Sequence, residues 1–313
     1  MRRCLYCYEP LGEDISEFHS KCSVKIFGTP DPPDLPYSED QMLQLAEKVV
    51  KSQTTVTGVQ PKLSLHLEKP AKKDKPQRFT IVGLWGGYIL KPPTNQYKFL
   101  PELEDLTMHL AEISGIDVVP HSLIRLSSGK LSYITRRIDR TNGARIHMED
   151  MCQLTERLTE QKYNGSHEQI GKAIVKYSTN PGLDIINFFE QVLFSFLTGN
   201  ADMHLKNFSL IDRPELGYML SPAYDMVASK LVVEGDEEEL ALTLNGKKKK
   251  IGKRDFFEAL YRFNVDRKAV ENIFSKFRSS VEKWHDFIDI SFLPEYMKKS
   301  YHNTIRERVD RMY

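Results

Sequence analysis

The sequence predicts an α+β fold with two lobes, a small strand-rich N-terminal lobe and a larger helical lobe. At 313 residues, the chain exceeds the roughly 100–200 residues of a typical single domain. Short alternating apolar runs, which are typical of strands, concentrate before about residue 139. Beyond it the spacing is mostly helical, and the strongly apolar segment 185–197 predicts a core helix.

Composition and charge narrow the class of protein. Hydrophobic residues make up 40% of the chain and charged residues 28%, as in ordinary soluble globular proteins. No run approaches 18 apolar residues, and the two arginines at the start are not followed by the apolar region of a signal peptide. We therefore expect a cytoplasmic protein without membrane contact. The net charge of +1 gives no global attraction to polyanions, so any such site must be local.

Residues 1–28 form a separate segment that carries three of the four cysteines. Cys4 and Cys7 are spaced C-x2-C, and His19 and Cys22 are spaced H-x2-C. Two such pairs can surround one tetrahedral Zn²⁺. Cysteine and histidine also pack without metal, and a packed, metal-free turn is the preferred interpretation of this segment.

Residues 29–138 are predicted to form the N-terminal lobe. Four prolines between Gly28 and Ser38 indicate an extended linker, and the apolar spacing then predicts a helix over 39–51, followed by a loop. The predicted strands are Leu63–Leu67, Phe79–Val82, Tyr88–Leu90, Ser122–Leu126 and Leu131–Thr135, with a helix over 101–115 between the third and the fourth.

Residues 139–313 are predicted to form the helical lobe, and the segment GNADMHLKNFSLI (199–211) carries its strongest chemical signal. This segment follows the core helix and presents Asp202 and Asn207 before a strand-like run. A second short strand, 218–220, precedes Asp225 in SPAYDMV. A hairpin of the two strands would bring the three polar side chains to one end of a sheet. Because isolated buried charges are costly, this polar group must be solvated, paired or used.

These three side chains suit phosphoryl transfer. One carboxylate must accept or orient the proton of the attacking hydroxyl, while a second carboxylate and an amide oxygen hold Mg²⁺ against the phosphates. The catalytic Asp and the metal-binding Asn of protein kinases are five positions apart, as are Asp202 and Asn207. The alternative is a polar hairpin tied together by Asp and Asn side chains in turns.

Upstream residues follow the order found in protein kinases. Lys91 ends a predicted strand, where its ammonium could meet the α and β phosphates of ATP, and Glu104 could pair with it from the next helix. The loop TTVTGVQPK (54–62) offers backbone N–H groups for phosphate oxygens, although the P-loop pattern is absent. This order of features predicts a bilobal protein-kinase-like fold: the loop, Lys91, Glu104, the Asp/Asn pair and the final Asp.

The segments TTVTGVQPKLS, YILKPP, YITRRIDR, GNADMHLKNFSL and SPAYDMV together resemble the HipA family of bacterial serine/threonine kinases, the toxins of toxin–antitoxin modules. The resemblance covers about residues 52–245, and its N-x-D-x-H-x-K-N element is highly specific. It implies a bilobal kinase fold, ATP and Mg²⁺ as cofactors, and phosphorylation of an aminoacyl-tRNA synthetase, which stops translation.

The resemblance also implies roles for individual residues. Asp202 is the expected catalytic Asp, and Asn207 and Asp225 are the expected metal ligands. The expected nucleotide contacts are Thr57, Gly58, Val59, Gln60 and Lys62 in the phosphate loop, Lys91 at the phosphates, Arg136, Arg137 and Ile138 at the adenine, and His204, Lys206, Asn207, Tyr224 and Asp225.

Members of the family switch themselves off by phosphorylating a serine in the phosphate loop. This chain has Thr55 at the matching place and Thr57 two residues later, and both keep the hydroxyl. Adding about −1.5 to −2 charges beside the triphosphate site would repel ATP or expel the loop. The alternative is that the β-branched threonines only fit an extended loop.

The longer members carry an additional N-terminal subdomain, which the 51 residues before the loop are too short to supply. The chain therefore resembles the compact kinase of a three-component system, in which a separate small antitoxin supplies that subdomain and a DNA-binding antitoxin completes the complex. DNA contact would then be indirect, and the lysine run 247–250 is interpreted as a solvated hairpin end. Two other functions stay open: a small-molecule kinase on a related fold, and a non-catalytic, nucleotide-sensing subunit of a DNA-bound repressor complex.

Overall fold

The chain forms two compact units. The first comprises Met1–Asp105, Val119–Ile138 and Ile290–Phe292, and the second comprises Leu106–Val118, Asp139–Asp289 and Leu293–Tyr313. A computed structural model describes residues 2–13, 17–42, 44–45, 62–68, 77–82, 86–141, 144–233, 235 and 237–313. The predicted phosphate loop therefore lies outside the described residues, except for Lys62.

The first unit is built on an antiparallel sheet of five strands in the spatial order β2-β1-β3-β5-β4. Its members are β1 (Leu63–Glu68), β2 (Arg78–Val82), β3 (Tyr88–Lys91), β4 (His121–Arg125) and β5 (Leu131–Arg136). These are the five predicted strands, with bounds that agree to within one residue. Because side chains alternate across a strand, Leu63 and Leu65 are both buried, and they pair with Leu90 and Tyr88 of β3.

The first unit also contains helices, of which the first was not predicted from the sequence. Helix α1 (Ser20–Phe27) ends at Gly28, whose φ of 79° lies in the left-handed region that favours glycine. Helix α2 (Leu100–Ile113) matches the helix predicted over 101–115 and belongs to the first unit as far as Asp105. Of the helix predicted over 39–51, the described residues, 39–42 and 44–45, are helical.

The described part of the second unit is mainly helical. Its helices are α3 (Met151–Leu154), α4 (His167–Tyr177), α5 (Pro181–Thr198), α6 (Lys253–Tyr261), α7 (Arg267–Asp289) and α8 (Glu295–Met312). Helix α5 is the predicted core helix, and proline at its first position suits a helix start. Its phenylalanines at 188, 189, 194 and 196 are fully buried, and burying each such side chain stabilises the fold by about 1.5–3 kcal/mol.

The second unit also contains a small sheet, to which the segment after the core helix contributes two strands. The predicted hairpin is present as β9 (Ser209–Arg213) and β10 (Gly217–Leu220). Strand β8 (Met148–Asp150) adds to β9 and was not predicted, because three residues are too few to show an alternating pattern. The two-residue strands β6 (Arg140–Thr141) and β7 (Ala144–Arg145) also pair.

The described helices and antiparallel strands confirm the predicted α+β class. Among the described residues, no helix combines the length and the apolar composition needed to cross a bilayer.

Candidate active site

The end of helix α5 directs the chain into the polar loop. Gly199 has a φ of 73°, which glycine adopts without strain. A Cβ at this position would also lie 2.9 Å from Cγ2 of Thr304 and 3.2 Å from Cβ of Lys230, so both conformation and space require glycine. The next amide, of Asn200, donates to the Ser195 carbonyl at 2.8 Å and closes the helix end.

The loop from Asp202 to Asn207 is closed on itself. The Asp202 carbonyl accepts from the backbone N–H of His204 at 2.8 Å and from Nδ2 of Asn207 at 3.1 Å. A carbonyl only accepts hydrogen bonds, so this contact fixes which end of the Asn207 amide is nitrogen. The amide oxygen of Asn207 is then the end available to a cation.

The Asp202 carboxylate is held by a tyrosine that the sequence did not single out. The hydroxyl of Tyr163 donates to Oδ1 of Asp202 at 2.6 Å. The backbone carbonyl of the preceding residue, Lys162, accepts a hydrogen bond from the backbone N–H of Leu205 at 3.1 Å. This bond holds the segment that carries Tyr163 against the loop. No spacing rule links a tyrosine to an aspartate 39 positions away, so no sequence signal identified this contact.

The charges of both candidate carboxylates act on His204. Burial lowers its pKa to about 4, while the charges of Asp202 and Asp225 act in the opposite direction. The ring is therefore neutral at pH 7, and it packs edge-on against Tyr163 with 5.0 Å between ring centroids. Both carboxylates are therefore within electrostatic range of one imidazole.

Asp225 has a backbone conformation that is unusual for a residue with a side chain. Its φ is 56°, in the left-handed region, which Asp and Asn tolerate better than most residues. The preceding segment is anchored, since Ser221 donates to the Ser209 carbonyl at 2.9 Å and Ala223 donates to the Asp117 carbonyl at 2.7 Å. Backbone strain that the surrounding structure maintains is common at functional sites.

Tyr224 joins the two segments that carry these residues. Its hydroxyl lies 2.5 Å from Oγ of Ser209 and donates to the Lys206 carbonyl at 3.0 Å. The phenol thus links the Asp225 segment to the end of the Asp202–Asn207 loop.

The side chain of Lys206 is engaged with a residue that sequence reasoning also missed. Its ammonium is 2.8 Å from Oδ2 of Asp150, while Oδ1 of Asp150 accepts the backbone N–H of Gln153 at 3.0 Å. The D-x-x-Q spacing predicts the cap of helix α3. It does not predict the ion pair with Lys206, which depends on the β8–β9 pairing.

The first unit contains the ion pair that the sequence predicted. Lys91 ends β3 and forms a salt bridge with Glu104 of helix α2, and the two residues are 4% and 2% exposed. The ammonium also lies 5.3 Å from the ring centre of Tyr133, its neighbour across the β3–β5 ladder. A buried lysine requires such partners, because an isolated buried charge is costly.

The predicted adenine segment follows β5 in the same unit. The backbone N–H of Arg136 donates to the Pro120 carbonyl at 2.9 Å, and that of Arg137 donates to the Gly87 carbonyl at 2.8 Å. Lys62 is exposed. The expected loop residues Thr55, Thr57, Gly58, Val59 and Gln60 lie outside the described residues.

The donor set of the second unit fits a hard divalent cation. Carboxylate and amide oxygens, which Asp225 and Asn207 provide, are the ligands that Mg²⁺ prefers. Asp202 remains separately oriented by Tyr163. The described residues therefore include a carboxylate and an amide of the kind that binds Mg²⁺, and a second carboxylate that a tyrosine holds.

Comparison with known proteins identifies relatives over most of this region. A family model described as HipA-like C-terminal domain matches residues 54–285. The chain is 34% identical over 208 residues to "Putative kinase Y4dM" of Sinorhizobium fredii, which is 62% of this chain and 49% of that protein. It is 28% identical over 215 residues to "Serine/threonine-protein kinase toxin HipA" of Shewanella oneidensis, which is 62% of this chain and 47% of the toxin. The chain thus spans about half the length of these curated relatives.

Solved structures show the same fold. The Shewanella oneidensis HipA structure, determined with HipB and operator DNA, superposes with a TM-score of 0.69 at 20% identity and covers 89% of this chain and 71% of HipA. The Helicobacter pylori proinflammatory kinase CtkA superposes with a TM-score of 0.53 at 17% identity and covers 72% of this chain and 87% of CtkA. The predicted kinase-like fold is therefore confirmed.

Proposed function

This chain belongs to the family of HipA-like C-terminal domains, and we propose that it is an ATP-dependent serine/threonine protein kinase that acts as the toxin of a toxin–antitoxin module. The observation that carries the proposal is the closed loop from Asp202 to Asn207, which Tyr224, the residue before Asp225, contacts through the Lys206 carbonyl. We infer that the substrate is an aminoacyl-tRNA synthetase, whose phosphorylation arrests translation.

Each residue of the second unit has a distinct task in this proposal. Asp202 accepts or orients the proton of the substrate hydroxyl through Oδ2, since Oδ1 accepts from Tyr163. Asn207 and Asp225 hold Mg²⁺, which neutralises charge on the phosphates of ATP when bound. His204, Lys206 and Tyr224 form the nucleotide-facing side of the loop in this assignment.

The first unit contributes the remaining nucleotide contacts. Lys91, positioned by Glu104, binds the α and β phosphates. Because the backbone N–H groups of Arg136 and Arg137 are engaged, adenine recognition falls to their side chains and to Ile138. Guanidinium groups stack on planar rings, which suits this assignment. The phosphate loop contacts from Thr57, Gly58, Val59, Gln60 and Lys62, and control through Thr55 or Thr57, belong to the same proposal.

The assembly in which a relative was solved supports the proposed DNA-binding partner. The Shewanella structure contains HipA, HipB and operator DNA. We propose that this chain likewise joins a DNA-binding antitoxin, together with a small antitoxin protein, and contacts DNA only indirectly. Local pairing of the lysine run supports indirect contact, because three of its ammonium groups form ion pairs: Lys247 with Asp255, Lys248 with Glu238 and Lys249 with Glu237.

A labelling experiment tests the kinase proposal. The full chain is incubated with γ-labelled ATP, Mg²⁺ and cell lysate, and the labelled proteins are identified by mass spectrometry. We expect label in one lysate protein and at Thr55 or Thr57. A small-molecule kinase would label no protein, and a nucleotide-sensing subunit would bind ATP without transferring phosphate.

The variant Asp202→Ala tests the catalytic residue. Transfer should fall by about 10²- to 10⁴-fold, because a positioned base contributes that much, while the thermal midpoint should not decrease. Asp212→Ala, which removes a carboxylate from β9, is the matched control and should keep its activity. Unchanged transfer by Asp202→Ala would remove Asp202 from the mechanism.

A further inference from the structure

The N-terminal segment holds four metal-ligand atoms close together. Sγ of Cys4, Cys7 and Cys22 and a ring nitrogen of His19 all lie within 4.8 Å of one another. The cysteines are free thiols, not disulfides. Cys4 and Cys22 are buried, so the cluster is enclosed on one side by protein. The sequence favoured a packed, metal-free turn over a zinc knuckle, whereas this convergence supports the knuckle.

Two nitrogen–sulfur distances within the cluster are close to those of a tetrahedral metal site. Zn–S bonds of about 2.3 Å and Zn–N bonds of about 2.0–2.1 Å place a ligand nitrogen roughly 3.6 Å from each ligand sulfur. Nδ1 of His19 lies 3.4 Å from Sγ of Cys7 and 3.9 Å from Sγ of Cys22. These values lie on either side of the expected separation.

The tautomer of His19 is set by its other nitrogen. Nε2 lies 3.1 Å from the Pro10 carbonyl, which can only accept, so Nε2 carries the proton. In the neutral ring, Nδ1 therefore presents its lone pair toward the sulfur atoms. Metal-binding histidines are commonly oriented in this way by a backbone carbonyl.

The backbone brings the two ligand pairs together. A bridge between Arg3 and Pro10, with the Cys4 amide donating to the Glu9 carbonyl at 2.9 Å, closes the turn that carries Cys4 and Cys7. His19 occupies the N-cap of helix α1 but makes no side-chain cap hydrogen bond. Its imidazole is directed to the cluster, and Cys22 lies in the first turn of the same helix.

We propose that Cys4, Cys7, His19 and Cys22 bind one structural Zn²⁺. Each thiol loses its proton to solvent as its sulfur binds the metal, and neutral His19 contributes the fourth bond through Nδ1. Three sulfur ligands and one nitrogen select zinc over Mg²⁺ or Ca²⁺, which prefer oxygen.

The knuckle, residues 4–22, is tied to the part of the first unit that carries the Lys91–Glu104 pair. Tyr8, next to Cys7, is fully buried and donates to Asp105 at 2.7 Å. Asp105 follows Glu104 in helix α2, so zinc in the knuckle would hold the start of this helix.

The knuckle is also tied to the edge strand of the sheet. The Leu5 carbonyl accepts from the backbone of Leu123 at 3.2 Å and from Oγ of Ser122 at 3.1 Å. His121 of the same strand lies 2.7 Å from Asp105 through Nδ1 and stacks on Tyr133, which lies beneath the Lys91 ammonium. The contacts from the knuckle to the ion pair are thus continuous within the first unit.

Metal content tests the site directly. The full chain, purified under reducing conditions, should contain about one zinc per chain by elemental analysis. Cys7→Ala and His19→Ala should lose most of it, whereas Cys152→Ala, which removes a buried cysteine of helix α3, should keep it. Zinc-free wild-type protein after incubation with excess zinc, or full occupancy in Cys7→Ala, would overturn the proposal.

A measurement on the wild type does not depend on how the variants fold. Replacement of zinc by Co²⁺ should produce the visible bands of a tetrahedral site together with thiolate-to-cobalt charge transfer. Cobalt binding without the thiolate band would contradict the ligand set.

Tyr8→Phe separates the metal site from its effect on the ion pair. Its zinc content should equal that of the wild type, while the dissociation constant for ATP should rise by up to about tenfold, because one hydrogen bond to a charged group is lost. This readout rests on the proposed function, whereas the zinc content does not. Unchanged ATP affinity would contradict the link to Lys91 but not the zinc site.

Discussion

The two groups of charged residues that we assign to phosphoryl transfer are positioned by different means. Lys91 and Glu104 are buried and neutralise each other. Asp202 is only partly buried, and a neutral hydroxyl, from Tyr163, holds its carboxylate. A buried ion pair that positions a side chain also affects the stability of the fold, because removal of one ion leaves the other buried and uncompensated. A carboxylate that a neutral hydroxyl orients is not neutralised by its partner, so its negative charge stays available to a substrate or a metal ion. Such a carboxylate also contributes less to folding stability than a buried ion pair does.

The largest expected effect on stability tests the first half of this comparison. Lys91→Met and Glu104→Gln should each lower the free energy of unfolding by about 3–5 kcal/mol, because each removes one member of a buried pair. The double variant should lose less than the sum of the two. Urea denaturation of the four proteins measures the coupling.

An exposed ion pair provides the control. Arg267 and Glu271 form an i,i+4 pair on helix α7 with side chains 79% and 52% exposed. Arg267→Met should leave the urea midpoint nearly unchanged, since exposed pairs contribute little. Additive losses at Lys91 and Glu104 would show that the buried pair is not a unit.

Substitutions at Asp225 separate charge from backbone conformation. Asp225→Asn and Asp225→Ala should both weaken Mg²⁺-dependent ATP binding by at least about tenfold, because the carboxylate ligand is lost. Asparagine tolerates the φ of 56°, whereas alanine should cost roughly 1–2 kcal/mol more stability. Nucleotide titration with and without Mg²⁺, and urea denaturation, give the two readouts. Asparagine keeps an amide oxygen that can still bind Mg²⁺, so normal affinity in Asp225→Ala is the result that would exclude a metal-binding role.

Tyr163→Phe tests whether a neutral donor orients the catalytic carboxylate. Loss of one hydrogen bond should lower kcat by up to about tenfold. KM for ATP and the thermal midpoint should stay the same, whereas loss of a merely structural tyrosine would lower the thermal midpoint. Tyr296→Phe, at an exposed site, is the control. A decrease of the thermal midpoint together with kcat would indicate a packing role.

The smallest expected effect concerns pH and a buried histidine behind the loop. Burial lowers the pKa of His167 to about 3, and its ring packs on Phe188 and Phe208. The unfolded chain binds a proton at His167 near pH 6.5, whereas the folded chain does not. The contribution of neutral His167 to the free energy of unfolding is therefore fully present above that pH. It is lost as the pH falls from about 6.5 toward 3, at roughly 1.4 kcal/mol per pH unit.

The variant His167→Phe isolates this contribution. Between pH 7 and 5.5 it should lose about 1 kcal/mol less unfolding free energy than the wild type, measured by urea denaturation. His204, whose pKa is about 4, titrates in the same direction and is unchanged in both proteins. Parallel pH profiles would show that His167 is protonated in the folded state.

Local pattern predicted much of the fold and part of the site. Strands β1 to β5 and helix α5 were visible because alternation and helical spacing are properties of neighbouring residues. The Asp202–Asn207 spacing was visible for the same reason. Tyr163 and Asp150 were not, since each meets its partner through contacts between segments far apart in the chain.

By itself, the sequence determined the order of strands β1 to β5 and of helices α2 and α5, the family, and the identity of the polar residues at 202, 207 and 225. Only the tertiary structure decided the orientation of the Asn207 amide, the hydroxyl that holds Asp202 and the convergence of Cys4 and Cys7 with His19 and Cys22. The physical reason is that a residue type fixes which bonds a side chain can make. Which partner it meets depends on the packing of distant segments.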